Sequence, residues 1–135
     1  MKIIDNLQKV AKPNSTITSI LVIALQQFLR QNHFGALPAE FIEFLHFYNC
    51  IGHDGGAICG ILNNKNINDI STLNTLIIHP LHQDLVFLGY DDFDLLAYNQ
   101  KHNVYQIIDK DDFEVLEEYT DFSSAAQYIL KIEYD

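Results

Sequence analysis

The 135-residue chain predicts an α+β fold: N-terminal helices, then a mostly antiparallel, twisted sheet of about five or six strands, closed by a C-terminal helix. Three observations predict it. Apolar residues recur at helical spacing as far as Tyr48. From Ala57 the pattern shortens to strand-sized apolar runs separated by polar turn residues. Helical spacing then returns after Thr120. Helices and strands segregated in this way do not build alternating α/β units. The length suits one domain, residues 1–135, with 1–13 as an N-terminal helical addition.

Residues Ile3–Val10 read as a short amphipathic helix stopped by Pro13. Asn14, Ser15 and Thr16 offer caps for a second helix carrying Ile17, Leu21, Ala24 and Phe28. That helix is apolar around much of its girth, so it is expected to be largely buried. Gly35 suits the residue that terminates it. Pro38 then sits where a first helical turn tolerates it, and Leu37, Phe41, Phe44, Leu45 and Tyr48 form the clearest helical stripe in the chain. The glycine-rich stretch Asn49–Gly56 reads as a loop.

Beyond it, Ala57–Leu62, Leu85–Leu88, Leu95–Tyr98, Val104–Ile108 and Phe113–Tyr119 read as strands. Their spacing suits an antiparallel meander, with polar connectors Asp91–Asp94, Asn99–Asn103 and Asp109–Asp112 as turns. Asn63–Leu85 is a polar excursion with one short element around Leu73–Ile78. Thr120 or Asp121 caps a last helix whose buried face is Phe122, Ala126, Ile129 and Leu130.

A net charge of −10, from 18 acidic and eight basic residues, argues against nucleic-acid binding and against docking on anionic membranes. The 48% hydrophobic content argues equally against disorder. No apolar run approaches the ~20 residues that cross a bilayer. Asp5 in the would-be basic region and Gln26-Gln27-Phe28 where small residues belong speak against a signal peptide, so a cytoplasmic location is expected. The two cysteines are too few for a disulfide scaffold and lack zinc-type spacing. Charge is unevenly placed: residues 91–121 hold ten acidic residues and two lysines, whereas residues 1–35 are net positive.

The search for chemistry finds weak candidates only. His46, Cys50 and His53 make a conceivable metal cluster without a convincing set of ligands. His79 and His82 flank Pro80, which spoils a helical His-x-x-His face. Cys50 or Cys59 as a nucleophile needs activation that nothing nearby supplies. His53-Asp54-Gly55-Gly56 reads as a turn, and Glu117 and Glu118 point to opposite strand faces, so they do not share a proton. No catalytic residue, metal site or cofactor is therefore expected.

The ordered set of segments resembles one family. Leu37-Pro38 through Phe44-Leu45, then Tyr48-Asn49 and the Gly-rich stretch into Ala57–Leu62, is similar to its helix–loop–strand core. Val86–Tyr90, Leu95–Asn99 and Asn103–Ile108 resemble its three central strands, and Tyr119–Leu130 resembles its closing helix. This is the SUKH superfamily, which groups fungal cell-wall-synthesis regulators with bacterial immunity proteins of polymorphic and contact-dependent growth-inhibition toxin systems. The resemblance runs from about residue 20 to the C-terminus. Cys50 stands where glycine is usual, Asn99 where aspartate is common, and there is no tryptophan. The first two departures bear on local loop geometry.

The resemblance implies a non-catalytic binding module, commonly with one toxin domain as partner. The charge distribution adds an expected surface: Asp91, Asp92, Asp94, Asp109, Asp111, Asp112, Glu114, Glu117 and Glu118, with Tyr90 and Tyr98 as aromatic anchors. A nuclease toxin needs a cationic substrate surface, for which an acidic plug competes. The alternatives are a housekeeping regulatory or scaffold domain and a small metal- or thiol-dependent enzyme. A monomer or weak homodimer is expected.

Overall fold

The computed structural model describes residues 1–77 and 83–134. Its described elements are α1 (Lys2–Leu7), α2 (Ser19–Gln31), α3 (Ala39–Leu45), β1 (Ile51–His53), β2 (Gly56–Ile58), α4 (Ile70–Leu76), β3 (Leu85–Tyr90), β4 (Asp94–Asn99), β5 (Val104–Asp109), β6 (Val115–Tyr119) and α5 (Phe122–Leu130). The strands form one antiparallel sheet whose spatial order is the chain order. The α+β class and the meander are therefore as the sequence pattern predicts. Among the described residues no helix is long and apolar enough to cross a membrane.

α5 packs on β2, β4, β5 and β6, and the aromatic stripe of α3 seals the space between helix and sheet. Phe41, Phe44 and Tyr48 are fully buried. The Phe122 ring lies 5.6 Å from Phe41, 5.0 Å from Phe44 and 5.6 Å from Tyr105, in the inclined arrangements aromatic quadrupoles favour. Glu40 ties the same elements together. Its Oε1 accepts from the Tyr105 hydroxyl and from the Phe122 amide, both at 3.3 Å. Asp121 caps α5, accepting from the Ser124 amide at 2.9 Å.

Several elements differ from the sequence reading. α1 ends at Leu7, short of Val10. It is no appendage, for Ile3 and Leu7 are fully buried and the Ile3 amide donates to Ser123 Oγ at 3.2 Å. α2 begins after Thr18, whose side chain caps it. Asn14 and Ser15 instead bond across to the end of α3: the Ser15 hydroxyl donates to the Leu45 carbonyl, and Asn14 Oδ1 accepts from the Asn49 amide at 2.8 Å. Nor is α2 largely buried. Val22, Leu25 and Leu29 form its one covered stripe, while Ile20 is 77% and Ile23 57% exposed. α3 stops at Leu45, and a turn, with the Tyr48 amide donating to the Phe44 carbonyl, carries the stripe on to Tyr48.

The stretch read as a loop before Ala57 contains β1. Asp54 and Gly55 both take positive φ (53° and 87°), the primed two-residue turn that matches strand twist. Gly56 lacks the Cβ that would collide with the Ile129 carbonyl, so β2 lies directly on α5. β2 itself ends at Ile58; the rest of the expected run makes only a parallel bridge, Gly60 to Asp69. The excursion carries α4, capped by Asp69, which accepts from the Thr72 amide at 3.1 Å. Ile78, at the end of the element expected there, lies outside the described residues. β6 starts at Val115 and forms an open sheet edge with Val115 to Glu118 all exposed.

β3 slips register between Phe87 and Gly89, a bulge that leaves backbone groups for another partner. Asn74 of α4, fully buried, supplies it: Oδ1 accepts from the Phe87 amide at 2.7 Å and Nδ2 donates to the Phe87 carbonyl at 2.9 Å. Asn74→Ala leaves both groups buried without that partner and is expected to cost about 2–4 kcal/mol in chemical denaturation. A cost under about 0.5 kcal/mol would show that the bulge does not rely on Asn74.

Candidate functional site

The β3–β4 turn, the β5–β6 turn and the tip of the β1–β2 hairpin lie at one end of the sheet, as the registers require. The first two touch directly, with the Lys110 amide donating to the Phe93 carbonyl at 3.0 Å. Asp54, Asp92, Asp111, Asp112 and Glu114 are exposed at this end. Phe93 projects among them, 77% exposed. The lysines here are engaged by the turns themselves: Lys131 Nζ bonds Asp91 Oδ2 at 3.2 Å, and Lys110 Nζ sits 5.2 Å above the centre of the Tyr90 ring.

The structure divides the expected carboxylates into two kinds. Asp91 and Asp94, expected on the binding surface, are buried and hold the turn together. Asp91 Oδ1 accepts from the amides of Phe93 (2.9 Å) and Asp94 (2.8 Å). Burial alone pushes the Asp91 carboxyl up, but these amides and Lys131 outweigh it and hold it below the usual carboxylate range. Asp94 is pushed up by burial and by neighbouring Asp91, although the Tyr128 hydroxyl donates to it at 3.2 Å. Asp94 is held by the Tyr128 hydroxyl and, through its own amide, by Asp91. Asp91 shows the reason for its own burial: a tight turn has more amide donors than its backbone can satisfy, and a short acidic side chain folds back to accept them. Asp109, half-buried, does the same for the amides of Asp111 (2.8 Å) and Asp112 (3.3 Å).

Glu117 and Glu118 sit apart on β6, on opposite faces as expected; Glu118 accepts from Gln106 Nε2 at 2.8 Å. The two tyrosines do not join the surface as free anchors. Tyr90 is half-buried, its hydroxyl donating to Asn68 Oδ1. Tyr98 lies at the opposite end of the sheet, its ring 4.9 Å from Tyr105 and its hydroxyl bonded to Asn103. The exposed aromatic ring at this end that the sequence reading passed over is Phe93. Its signal was plain: a large apolar residue in the middle of an otherwise polar turn.

Beside the acidic turns runs an apolar groove of about 460 Å³, lined by Ile67, Leu73, Leu76, Ile77, Tyr90, Leu95, Lys110 and Phe113. Phe113 reaches it from a left-handed backbone (φ 60°), a conformation that costs a bulky residue about 1–3 kcal/mol. A larger depression, about 870 Å³, lies between α2 and α4, away from these turns.

The candidates for metal chemistry do not converge. Among the described residues no three His, Cys, Asp or Glu side chains are grouped to hold a metal. His46 is exposed, beyond the end of α3, while His53 Nδ1 is fixed on the Leu130 carbonyl at 2.6 Å. His79 and His82 lie outside the described residues. Burial pushes the Cys50 thiol up and the Cys59 thiol far up, so neither is activated above an ordinary cysteine.

The two buried aspartates have opposite pH signatures. Asp91, lowered in the fold, contributes stability present above its ordinary pKa of about 3.9 and lost as pH falls below it. Asp91→Ala is expected to lower the denaturation midpoint at pH 7, with the deficit shrinking below about pH 4. Asp94, raised, stabilises only while protonated, so its contribution fades as pH rises through the raised value. Asp94→Asn is expected to raise the midpoint at pH 7 and to lose that advantage below about pH 4. An Asp91→Ala deficit that persists unchanged into acid would remove the charge of that carboxylate from the account.

Compared with known proteins, the chain matches no family model, no curated protein and no solved structure.

Proposed function

We propose that this chain is a SUKH-like immunity protein, a non-catalytic module that binds and neutralises a cognate cationic toxin domain in the bacterial cytoplasm. The observation that carries the reading is the turn end of the sheet, where Asp92, Asp111, Asp112 and Glu114 stand exposed around the exposed Phe93. Interfaces of this kind draw affinity from a few desolvated aromatic anchors, and speed and selectivity from complementary charge. The anchor sits on a turn whose geometry the buried Asp91 has already fixed, so little ordering entropy remains to be lost on docking.

One backbone feature supports the family resemblance. Cys50 has a φ of 72°, in the left-handed region that favours glycine, and it stands at the position where the resembled pattern has glycine. A cationic surface is also what a nuclease toxin must present to its substrate, so an acidic plug on that surface competes directly with nucleic acid.

The test begins with the gene neighbourhood and uses the toxin domain that the proposal expects to be encoded there. Phe93→Ala is expected to weaken binding about 10- to 100-fold with no change in thermal midpoint, because the ring contributes little to the core. The triple variant Asp92→Lys, Asp111→Lys, Asp112→Lys is expected to slow association and to flatten its dependence on salt between about 50 and 500 mM. Affinity indifferent both to salt and to these changes sinks the proposal. So does the lack of any toxin gene beside this one, which is the arrangement a housekeeping regulator predicts.

A further inference from the structure

Cys50 and Cys59 flank the β1–β2 hairpin and have no place in the acidic turn surface. Ile51 pairs with Ile58, Gly52 with Ala57 and His53 with Gly56, so one further step of the same register sets Cys50 opposite Cys59. Counting outward from the two-residue turn, that step is a non-hydrogen-bonded position, where antiparallel Cα atoms approach to about 4.5 Å. Disulfides span Cα separations of about 4.4–6.8 Å. Cys50 itself is left-handed, but the chains stay in apposition past the last paired residues. Asn49 Oδ1 accepts from the Ile61 amide at 2.7 Å, and its Nδ2 donates to the Ile61 carbonyl at 3.0 Å. Gly60 lies so close to the Cys50 amide nitrogen that a Cβ would collide with it.

Ala57, two residues before Cys59, pairs with Tyr90, and Cys59 Sγ donates to the Ile67 carbonyl at 3.4 Å in the loop that also bonds the Tyr90 hydroxyl. Burial raises the Tyr90 hydroxyl and the Cys59 thiol, with smaller contributions from Cys59 and Cys50 at Tyr90 and from Cys50 and Asp69 at Cys59. Cys50 is half-buried and Cys59 buried, so a reagent from solvent meets Cys50 first.

We propose that Cys50 and Cys59 form an oxidisable dithiol, a modification site at which a small disulfide such as glutathione disulfide closes a bridge across the hairpin. The Cys50 thiol loses its proton, and the thiolate attacks one sulfur of the oxidant, breaking its S–S bond. One glutathione thiolate leaves and takes up that proton. Cys59, deprotonated in turn, attacks the Cys50 sulfur, forms the protein disulfide and displaces the second glutathione, which takes the second proton. Two protein thiols are oxidised by two electrons and one glutathione disulfide is reduced to two thiols. Closure removes the Cys59 donation to Ile67 and fixes the hairpin to itself.

The experiment treats the reduced, folded chain with glutathione disulfide and reads intact mass without reductant. The expected product has lost two hydrogens, carries no glutathione, resists alkylation at both cysteines until reduced, and yields a linked Cys50–Cys59 peptide. The rate is expected to rise with pH, since burial raises both thiols. Cys59→Ser is expected to stop at the glutathione adduct on Cys50. Wild-type protein that accumulates that adduct, joins two chains through Cys50, or leaves Cys59 open to alkylation after denaturation overturns the proposal.

Discussion

The structure depends on the aromatic layer in which Phe41, Phe44, Tyr48, Phe122 and Tyr105 meet, with Glu40 at its edge. These five side chains come from α3 and the turn after it, from β5 and from α5, elements distant in sequence that no local propensity brings together. Burying rings of this size supplies much of the driving force for closing such loops, and the inclined geometry adds specificity. Glu40 makes the arrangement directional. Its carboxylate meets the Phe122 amide at the start of α5, where the helix end carries partial positive charge, and it receives the Tyr105 hydroxyl. Helix, strand and closing helix thus meet in one register.

That rigid centre makes the turn end of the sheet usable. β3, β4 and β5 are held by core contacts on both sides of their turns, so the turns themselves are short and internally bonded. Within them the acidic residues divide between Asp91, Asp94 and Asp109, buried or half-buried in the turns, and those that face water, of which Asp112 also accepts the Glu114 amide at 2.9 Å. A count of carboxylates along the chain weights both alike. Electrostatically they differ, because Asp91 is answered by Lys131 and two amides, whereas Asp92, Asp111, Asp112 and Glu114 stand at the surface.

Much of the fold was legible because the relevant patterns are dense. Leu37, Phe41, Phe44, Leu45 and Tyr48 announce a buried helical stripe, and all five are buried. The runs ending at Tyr98 and Ile108 announce paired strands, and they pair residue for residue. What was not legible depended on partners remote in sequence. Ile20 and Ile23 belong to an apolar helix, but whether they are covered depends on how much of α2 its neighbours reach. β1 is three residues long and contains a glycine, so it exists through pairing with β2 and not through propensity. Asp91 and Asp92 are neighbours of identical chemistry, one buried and one exposed, and only the closing of the turn separates their roles. Phe93 is marked in the sequence by its place in a polar turn, but that its ring faces water depends on how the turn closes.

The outermost strand, β6, has a consequence of its own. Among the described residues this edge has no partner strand, and with Val115 and Leu116 exposed it is a template to which another strand can add. Glu117 and Glu118 place a carboxylate on each side of that template, so two such edges approaching one another bring four anions together. The strand most open to addition thus carries its own electrostatic barrier against it.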